Sequence, residues 1–341
     1  MSDTVRISLD DGQSLVNRAF VANGVPEATA QSVARALIAA EAEGQSGHGF
    51  SRIDDYVAQV RSGKINASTT PSVDMTSPTS VLINAHHGFA YPALDVAIER
   101  GASVASELGM ASMAITHSHH CGALSVQVEK LARKGFVAVM FANAPAAIAP
   151  WGASTPLYGT NPIAFAAPRA GKAPLIIDLS LSKVARGKVM HAHKSGGSIP
   201  EGWALDPNGN PTTVPKQGLD GTMLPIGEAK GTSLALMVEI FASLMTGASM
   251  SKDVSSFFTA DGQPPDVGQY LLAIRPPEGL DFSGRLESLL GLIGDMEGAR
   301  LPGQRRLAAL AQATAHGLDV PKHYIDSINA LTISPEEHAS T

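Results

Sequence analysis

Short apolar segments alternate with longer amphipathic ones between residues 80 and 180, and this alternation constrains the fold more than any other feature. Strand-like segments lie at 80–85, 111–118, 136–143, 162–168 and 173–180, and helical spacing of apolar residues occupies 92–109 and 126–135. Strands that alternate with helices of this length form a mixed or parallel sheet covered by helices. The sequence therefore predicts an α/β protein.

Helical patterns flank this central part on both sides. Residues 10–23 and 26–43 carry apolar residues at helical spacing, and a third helix is expected to follow His48 and to end near Gly63. After a further strand at 270–276, about three amphipathic helices close the chain.

Two segments complete the organisation. Residues 187–225 are rich in Gly, Pro and polar side chains, which predicts a loop with little regular structure, whereas 227–247 is predicted to be a long buried helix. We accordingly divide the chain into an N-terminal helical segment (1–75), an α/β body (76–275) and a C-terminal helical segment (276–341) that packs with the N-terminal helices.

The composition limits the partners and the compartment. A chain of 341 residues with 44% hydrophobic and 16% charged residues has a sizeable core, and its formal charge of −6 argues against nucleic acid or an anionic membrane as a partner. No apolar stretch reaches the ~18 residues that span a bilayer, and the first residues lack the order of a signal peptide. The single cysteine, Cys121, excludes an intramolecular disulfide and all-cysteine zinc sites, so we expect a cytoplasmic protein.

Two familiar nucleotide-binding motifs are missing. No G-x-G-x-x-G follows any of the predicted strands, and G-x-x-x-x-G-K-[ST] does not occur. A nucleotide cofactor, if this chain binds one, is therefore not held by a Rossmann turn or a P-loop.

The stretch GQSGHGFSR (44–52) places His48 four residues before Arg52. In a helix this spacing puts both side chains on one face, about 6 Å apart at Cβ. A neutral histidine can exchange a proton near pH 7, and an arginine can hold a carboxylate through two parallel hydrogen bonds. The alternative is a surface histidine beside an ordinary ion pair between Arg52 and Asp55.

The stretch THSHHCGALS (116–125) follows a strand and precedes a helix, where α/β sheets place ligands. Its three histidines suggest a metal at first, but the segment has no paired carboxylate and no second cysteine, so we expect no metal. Backbone amides of Cys121, Gly122 and Ala123 that open a helix N-terminus towards an anionic or polar ligand are the better interpretation.

Two further stretches offer polar groups next to strands. In YGTNPIAFAAPR (158–169), Thr160 and Asn161 form either a polar clamp for a ligand or an Asx-type turn. In IIDLSLSKVARGK (176–188), a buried strand ends in Asp178 and is followed by hydroxyls and cations, which suit ribose and phosphate oxygens but also a solvated helix start.

Taken together and in this order, these stretches resemble the malate/L-lactate dehydrogenase-like oxidoreductase family, from about residue 10 to about 325. The motifs are GHGFSR, GTNPIAFAAP, IDLSLSKVARGKV leading into IPEGWALDPNGNPTT, LPIGEAKGTSLALMVE and LPGQRR. The resemblance implies a non-Rossmann α/β fold with a mixed sheet, flanked by N-terminal and C-terminal helices. It also implies hydride transfer between a nicotinamide cofactor, NADPH or NADH, and a carbon next to a carboxylate.

The resemblance also assigns roles to individual residues. It makes His48 the proton donor and Arg52 the carboxylate clamp, with Thr160 and Asn161 in the substrate wall. The residues that it places at the cofactor are His120, Cys121, Gly122, Ala123, Leu124, Asp178, Leu179, Ser180, Arg186, Gly187, Lys188, Ala229, Lys230, Gly303, Arg305 and Arg306. A proton donor is what the chemistry needs, because hydride delivery to C=O or C=N leaves a basic heteroatom.

Within the family, the motifs favour the branch that reduces cyclic imino acids (Δ1-pyrroline-2-carboxylate or Δ1-piperideine-2-carboxylate) over 2-hydroxyacid dehydrogenases. Lys188 and IPEGWALDPNGNPTT are typical of the second branch. A third possibility is a relative without catalysis, because Gly47 replaces the serine that is usual in the family motif and could orient His48. The resemblance further implies a homodimer with sites built from both subunits.

Overall fold

A computed structural model describes residues 3–333, so the last eight residues of the predicted C-terminal segment, 334–341, lie outside the described residues. The helices are α1 (Leu9–Ala22), α2 (Glu27–Ala42), α3 (Ile53–Arg61), α4 (Ala90–Leu108), α5 (Leu124–Arg133), α6 (Arg186–Lys194), α7 (Pro215–Asp220), α8 (Ala229–Glu239), α9 (Phe282–Gly294), α10 (Gln304–His316) and α11 (Lys322–Leu331). The strands are β1 (Thr4–Ile7), β2 (Ser72–Ser77), β3 (Ser80–Asn84), β4 (Met110–Ser118), β5 (Val137–Ala142), β6 (Ile163–Ala167), β7 (Leu175–Leu179), β8 (Ala204–Leu205), β9 (Thr222–Met223), β10 (Val267–Ile274) and β11 (Leu318–Pro321).

Seven strands form one mixed sheet in the order β2-β3-β4-β10-β5-β6-β7. Only β3 and β4 are parallel, with Asn84 opposite Thr116, and the other neighbouring pairs are antiparallel. The mixed sheet and the flanking helices confirm the predicted fold class.

Helices cover both faces of this sheet. On one face, Leu94 of α4 and Leu131 of α5 share a buried cluster with Met113 and Ile115 of β4. On the other face, Phe141 of β5 and Tyr270 of β10 pack with the buried side of α8. Burial of these apolar side chains is the main source of stability for the sheet.

The two ends of the chain meet in a separate core. β1 pairs with β11 in antiparallel register, with Thr4 opposite Pro321. Phe20, Leu37 and Tyr56 of the N-terminal helices share a buried cluster with residues of β11 and α11. This core fixes the connection between α2 and α3, which carries His48. The three-part division of the chain remains a prediction.

Two sequence predictions were wrong in part. The segment 187–225 is only in part loop, because its prolines and glycines bound short elements (α6, α7, β8 and β9) rather than exclude them. The segment 227–247 forms α8 followed by a π-helical turn at Ile240–Leu244, but it is not fully buried: the side chains of Leu236, Ile240 and Leu244 are 47%, 41% and 61% exposed. Among the helices of residues 3–333, none combines the length and the apolar character needed to cross a bilayer.

Candidate functional site

His48 lies in the connection between α2 and α3, where two short 3-10 turns, Ser46–His48 and Phe50–Arg52, meet at Gly49. The third helix begins at Ile53, later than the sequence predicted, because the backbone at Gly49 (φ −110°, ψ −128°) is not helical. A β-carbon at Gly49 would collide with the side chain of Glu41. The Glu41 carboxylate accepts a hydrogen bond from the backbone N–H of Phe50 over 3.0 Å and fixes the bend.

The imidazole of His48 is half-buried and stacks on the imidazole of His120, with ring centroids 5.3 Å apart. Its Nδ1 atom is buried and has no hydrogen-bond partner among residues 3–333. Burial, together with the nearby charge of Arg52, lowers the pKa of His48 to about 4. The side chain is therefore neutral near pH 7 and able to accept a proton.

Arg52 lies beside His48 and keeps part of its guanidinium unused. Its Nε donates a hydrogen bond to the carbonyl of Gly47 over 2.8 Å, and its guanidinium carbon lies 4.4 Å from the ring centroid of Phe258. Its Nη1 is buried and finds no hydrogen-bond partner in the described part of the chain. A buried cationic donor without a partner is a site for an anionic group.

Behind His48, the side chains of His120, Tyr56 and Tyr91 form a buried polar chain, of which only His120 was predicted from the sequence. The Tyr56 hydroxyl lies 2.6 Å from Nδ1 of His120 and 3.0 Å from the hydroxyl of Tyr91. Burial raises the pKa of Tyr56 and lowers that of His120 well below its ordinary value. Tyr56 follows Arg52 by four residues, so the i, i+4 spacing on α3 was a signal that could have identified it.

His119 is equally buried, but it points to a different partner. Its Nε2 lies 2.7 Å from Oε1 of Gln59, and the amide of Gln59 donates to the carbonyl of Phe257 over 2.9 Å. Burial and the charge of Lys64 lower the pKa of His119 to about 3. His119 and His120 are therefore neutral and engaged inside the protein.

Lys64 organises the loop that carries Phe257 and Phe258. Its buried ammonium donates hydrogen bonds to the carbonyls of Ser256, Thr259 and Asp261 over 2.8, 3.0 and 2.9 Å. This loop places Phe258 against Arg52 and Phe257 against His120, with ring centroids of the latter pair 5.1 Å apart. Sequence reasoning missed the loop because it lies some two hundred residues from α3.

Asp178, at the end of β7, meets the start of α5. Its Oδ2 accepts a hydrogen bond from the backbone N–H of Ser125 over 2.8 Å, and burial raises its pKa. Cys121 is buried close by, and burial followed by the charge of Asp178 raises the pKa of its thiol to about 12. Gly122 has a left-handed φ of 69°, and a β-carbon there would crowd the Tyr91 hydroxyl.

Arg306 joins the same region from α10. Its Nη1 lies 2.6 Å from both Glu43 Oε1 and Glu129 Oε2, and its side chain is only 9% exposed. Its Nε and Nη2 are buried without partners among the described residues. Gly303 lies against the backbone of β7, where an added β-carbon would be 3.1 Å from the carbonyl of Ile176, and Arg305 is exposed.

The other predicted cofactor residues lie further along the same edge. Ser180 shares a hydrogen bond with Ser182, and Leu179, Gly187, Lys188, Ala229 and Lys230 are exposed. Backbone hydrogen bonds from Ile226 to Leu181 and from Lys183 to Leu224 hold the start of α8 beside the chain that leaves β7. Arg186 instead donates to the carbonyl of Ala146 over 3.2 Å, and burial lowers its pKa.

The side chain of Asn161 is buried and does not face solvent. Its buried amide donates to the carbonyl of Ala235 over 3.0 Å and to Oε2 of Glu239 over 2.9 Å. The hydroxyl of Ser251 also donates to Glu239. Thr160, by contrast, is half-buried. The amide of Asn161 is thus engaged inside the protein, whereas Thr160 keeps partial exposure. Their assignment to the substrate wall stays a prediction.

The fold is a mixed sheet without a Rossmann turn. The site pairs a neutral histidine with an arginine whose Nη1 has no hydrogen-bond partner among residues 3–333. Together they define a class of non-Rossmann dehydrogenases and reductases. The crystal structure of Δ1-piperideine-2-carboxylate reductase from Pseudomonas syringae pv. tomato is similar with a TM-score of 0.91 and 36% identity, over 96% of this chain and 100% of that chain. The profile of the malate/L-lactate dehydrogenase family matches residues 7–329, and the chain belongs to this family. The protein is therefore an oxidoreductase.

Curated relatives carry two kinds of activity in their names. The chain is 48% identical to (2R)-3-sulfolactate dehydrogenase (NADP(+)) of Chromohalobacter salexigens, over 96% of this chain and 98% of that protein. It is 36% identical to Δ1-pyrroline-2-carboxylate reductase of Ancylobacter novellus, over 97% of this chain and 98% of that protein. Family membership fixes the reaction class, and both substrate classes have relatives across the whole chain.

Proposed function

We propose that this protein is an NADP-dependent 2-hydroxyacid dehydrogenase, and that 3-sulfolactate is the first substrate to test. The observation that carries the proposal is the pairing of neutral His48 with the unpaired Nη1 of Arg52. The 48% identity to a 3-sulfolactate dehydrogenase supports this substrate over the cyclic imines that the motifs favoured.

The two side chains divide the work on the substrate. Arg52 binds the carboxylate, which places C2 and its hydroxyl next to the imidazole of His48. His48 accepts the hydroxyl proton while C2 loses a hydride, so that the alcohol becomes a ketone; in the reverse direction the protonated imidazole returns the proton to the new alkoxide. A bound nicotinamide supplies the hydride acceptor or donor.

The residues at the start of α5 fit such a cofactor. Asp178 offers a half-buried carboxylate, and Arg306 keeps two buried nitrogens without partners in the described structure, beside a helix N-terminus. We assign these groups to hydroxyl and phosphate oxygens of NADP. Cys121 stays a buried neutral thiol and lines the site without taking part in chemistry.

A proton-transferring histidine suits a 2-oxoacid better than a cyclic imine. A protonated iminium accepts hydride to give a neutral amine, so no proton has to be delivered in that step, whereas an alkoxide requires one. The second candidate is nevertheless reduction of Δ1-pyrroline-2-carboxylate or Δ1-piperideine-2-carboxylate with NADPH. It is favoured by the apolar wall of Phe258 against Arg52, which suits ring methylenes, and by relatives at 36% identity.

One absorbance assay at the band of reduced nicotinamide tests both candidates. We expect NADP+ reduction with 3-sulfolactate, measured in parallel with malate and lactate. We also expect that kcat/KM for NADPH oxidation with either cyclic imine is at least tenfold lower than kcat/KM for 3-sulfolactate. Turnover of the cyclic imines alone would make the second candidate the function. Absence of turnover with every substrate would instead support the alternative of a relative without catalysis.

We also propose that the protein is a homodimer. Leu236, Ile240 and Leu244 follow one another at four-residue spacing and expose an apolar stripe, while Ala235, Val238 and Ala242 face the core. A second copy that covers this stripe would explain why the segment is apolar on all sides. Sedimentation should give a dimer for the wild type and a monomer for Leu244→Glu; a monomeric wild type would contradict the proposal.

A further inference from the structure

We propose that His87, His117 and Asp266 bind one divalent transition-metal ion of the zinc class. One ring nitrogen from each histidine and one carboxylate oxygen lie within 4.8 Å of one another. The three side chains come from distant parts of the sequence, and they lie outside the cluster around His48. Metal binding here is independent of substrate turnover.

Sheet pairing brings the three residues together. The parallel pairing of β3 with β4 continues past the end of β3, where the N–H of Ala85 donates to Thr116 and the N–H of His87 donates to the carbonyl of His117 over 2.7 Å. On the other side of β4, Val267 is the antiparallel register partner of Ser118. Asp266 precedes this pair, and its carboxylate reaches back to His117, with Oδ1 2.8 Å from Nδ1. The backbone therefore fixes all three positions without a ligand.

The donor atoms are of the kind that zinc accepts. Nδ1 of His87 is buried and has no hydrogen-bond partner within residues 3–333. Nδ1 of His117 lies 2.8 Å from Oδ1 of Asp266, where a metal ion can replace the shared proton. Two imidazoles and one carboxylate leave a fourth tetrahedral position for water. Donor atoms around a zinc ion are about 3.3 Å apart, so the three side chains need to move only slightly closer to bind the ion.

A second layer of contacts orients the carboxylate. Oδ2 of Asp266 accepts a hydrogen bond from the Ser249 hydroxyl over 2.8 Å, and the backbone N–H of Ser249 donates to the Asp266 carbonyl over 2.9 Å. Ligating carboxylates in metal sites are held by outer partners of this type. The other carboxylate oxygen, Oδ1, is thereby directed at His117.

The backbone conformation at the three positions is unusual, which also supports a binding site there. His87, His117 and Asp266 have φ values of 59°, 48° and 53°, in the left-handed region that side chains other than glycine occupy at a cost. His87 also lines an open cavity of about 540 Å³ together with His86, which gives an ion access from solvent.

The fold supplies the carboxylate that the histidine run 116–125 lacks in the sequence. We expected no metal because THSHHCGALS contains no paired carboxylate, but the fold brings Asp266 to His117 across 149 residues. The other two histidines of the run are engaged by Gln59 and Tyr56, so only His117 takes part. The ion would tie β3, β4 and β10 together just before the loop that carries His119.

Titration of the EDTA-treated full chain with ZnCl2 by calorimetry tests the proposal. We expect one Zn2+ per chain, a higher Tm with Zn2+, and a tetrahedral absorption spectrum when Co2+ replaces it. His87→Ala should weaken Zn2+ binding at least tenfold, whereas His86→Ala, which removes the adjacent exposed histidine, should leave it unchanged. Loss of the same size in both variants would show binding elsewhere and overturn the site.

Two variants keep the test independent of folding defects. His87→Ala removes a ring whose Nδ1 has no partner among the described residues, so its circular dichroism should match the wild type. Asp266→Asn keeps a side-chain oxygen for Ser249 and should weaken Zn2+ binding as much as His87→Ala. Wild-type protein that takes up no Zn2+ at equimolar micromolar concentrations would refute the proposal.

Discussion

The imidazole of His48 lies almost parallel to that of His120, with ring planes 17° apart and centroids separated by 5.3 Å. His120 is itself held by the Tyr56 hydroxyl at 2.6 Å. The orientation of His48 is therefore set from behind by a stacked ring, and Gly47 contributes only its carbonyl, which accepts from Arg52. This arrangement does not need the serine hydroxyl that the family motif places before the histidine.

We expect His120→Ala to lower kcat about tenfold with little change in KM, because His48 loses the surface that orients it. His120→Phe keeps a flat ring against His48 and should restore most of kcat, since the role is positional. Steady-state kinetics of both variants check this prediction. Equal losses in the two variants would mean that the ring nitrogens of His120, and not its shape, are needed.

His48→Ala should reduce kcat by roughly 100-fold or more, on the usual scale for a lost acid–base group. NADPH binding, followed by the fluorescence of the reduced nicotinamide, should be unchanged, because no described contact joins His48 to Asp178 or Arg306. His323→Ala removes a histidine on α11 and serves as the control. A variant at position 48 that retains wild-type kcat would exclude the assigned proton transfer.

Arg52→Ala should act mainly on KM. The Nη1 donor has no partner within the described chain, and a charge-assisted hydrogen bond to a carboxylate is worth about 1.5–3 kcal/mol, which corresponds to a rise in KM of roughly 10- to 150-fold. The control is Arg35→Ala, whose guanidinium is 53% exposed and paired with Asp95. If KM stayed constant while kcat fell, Arg52 would serve His48 and not the substrate.

Local sequence patterns encode only part of the fold and of this site. The segments that became β3, α4, β4, α5 and β5 were predicted because each has its own periodicity, and His48 and Arg52 because they are four residues apart. The insertion of β10 between β4 and β5 depends on pairing between residues about 130 positions apart, such as Leu271 with Met140, and local patterns do not encode it. The same long-range placement brings Phe258 to Arg52 and Asp266 to His117, so neither neighbour was predicted.

Buried neutral histidines make the stability depend on pH. The pKa of His119 is about 3 in the folded chain and returns to its ordinary 6.5 on unfolding, so between these values the unfolded state binds a proton that the folded state does not. The stability that the folded chain gains from a neutral His119 is complete above about pH 6.5 and is lost as the pH falls towards 3. His119→Gln removes up to one proton from the difference in proton binding between the two states. The slope of the unfolding free energy against pH should therefore fall by up to about 1.4 kcal/mol per pH unit.

Urea unfolding of wild type and His119→Gln at several pH values between about 5 and 7 measures this slope. The comparison cancels the carboxyl groups whose pKa burial raises, such as Asp178 and Glu41, because they are present in both proteins. Parallel curves for the two proteins would mean that His119 binds protons equally in the folded and unfolded states, so that folding does not lower its pKa.

Arg305 should determine the preference for NADPH over NADH. Its neighbour Arg306 is buried and held in place between Glu43 and Glu129, whereas Arg305 is exposed near Gly303, which lies at the backbone of β7. An exposed guanidinium there can pair with a 2′-phosphate, which NADH lacks. We expect Arg305→Ala to lower the ratio of kcat/KM for NADPH over NADH about tenfold, chiefly through KM for NADPH.

Lys172→Ala removes an exposed cation that is paired with Glu287 and should leave the ratio unchanged. A ratio near unity in the wild type, or one that Arg305→Ala does not alter, would place the 2′-phosphate at another cation, and the exposed Lys188 at the start of α6 is then the next residue to substitute.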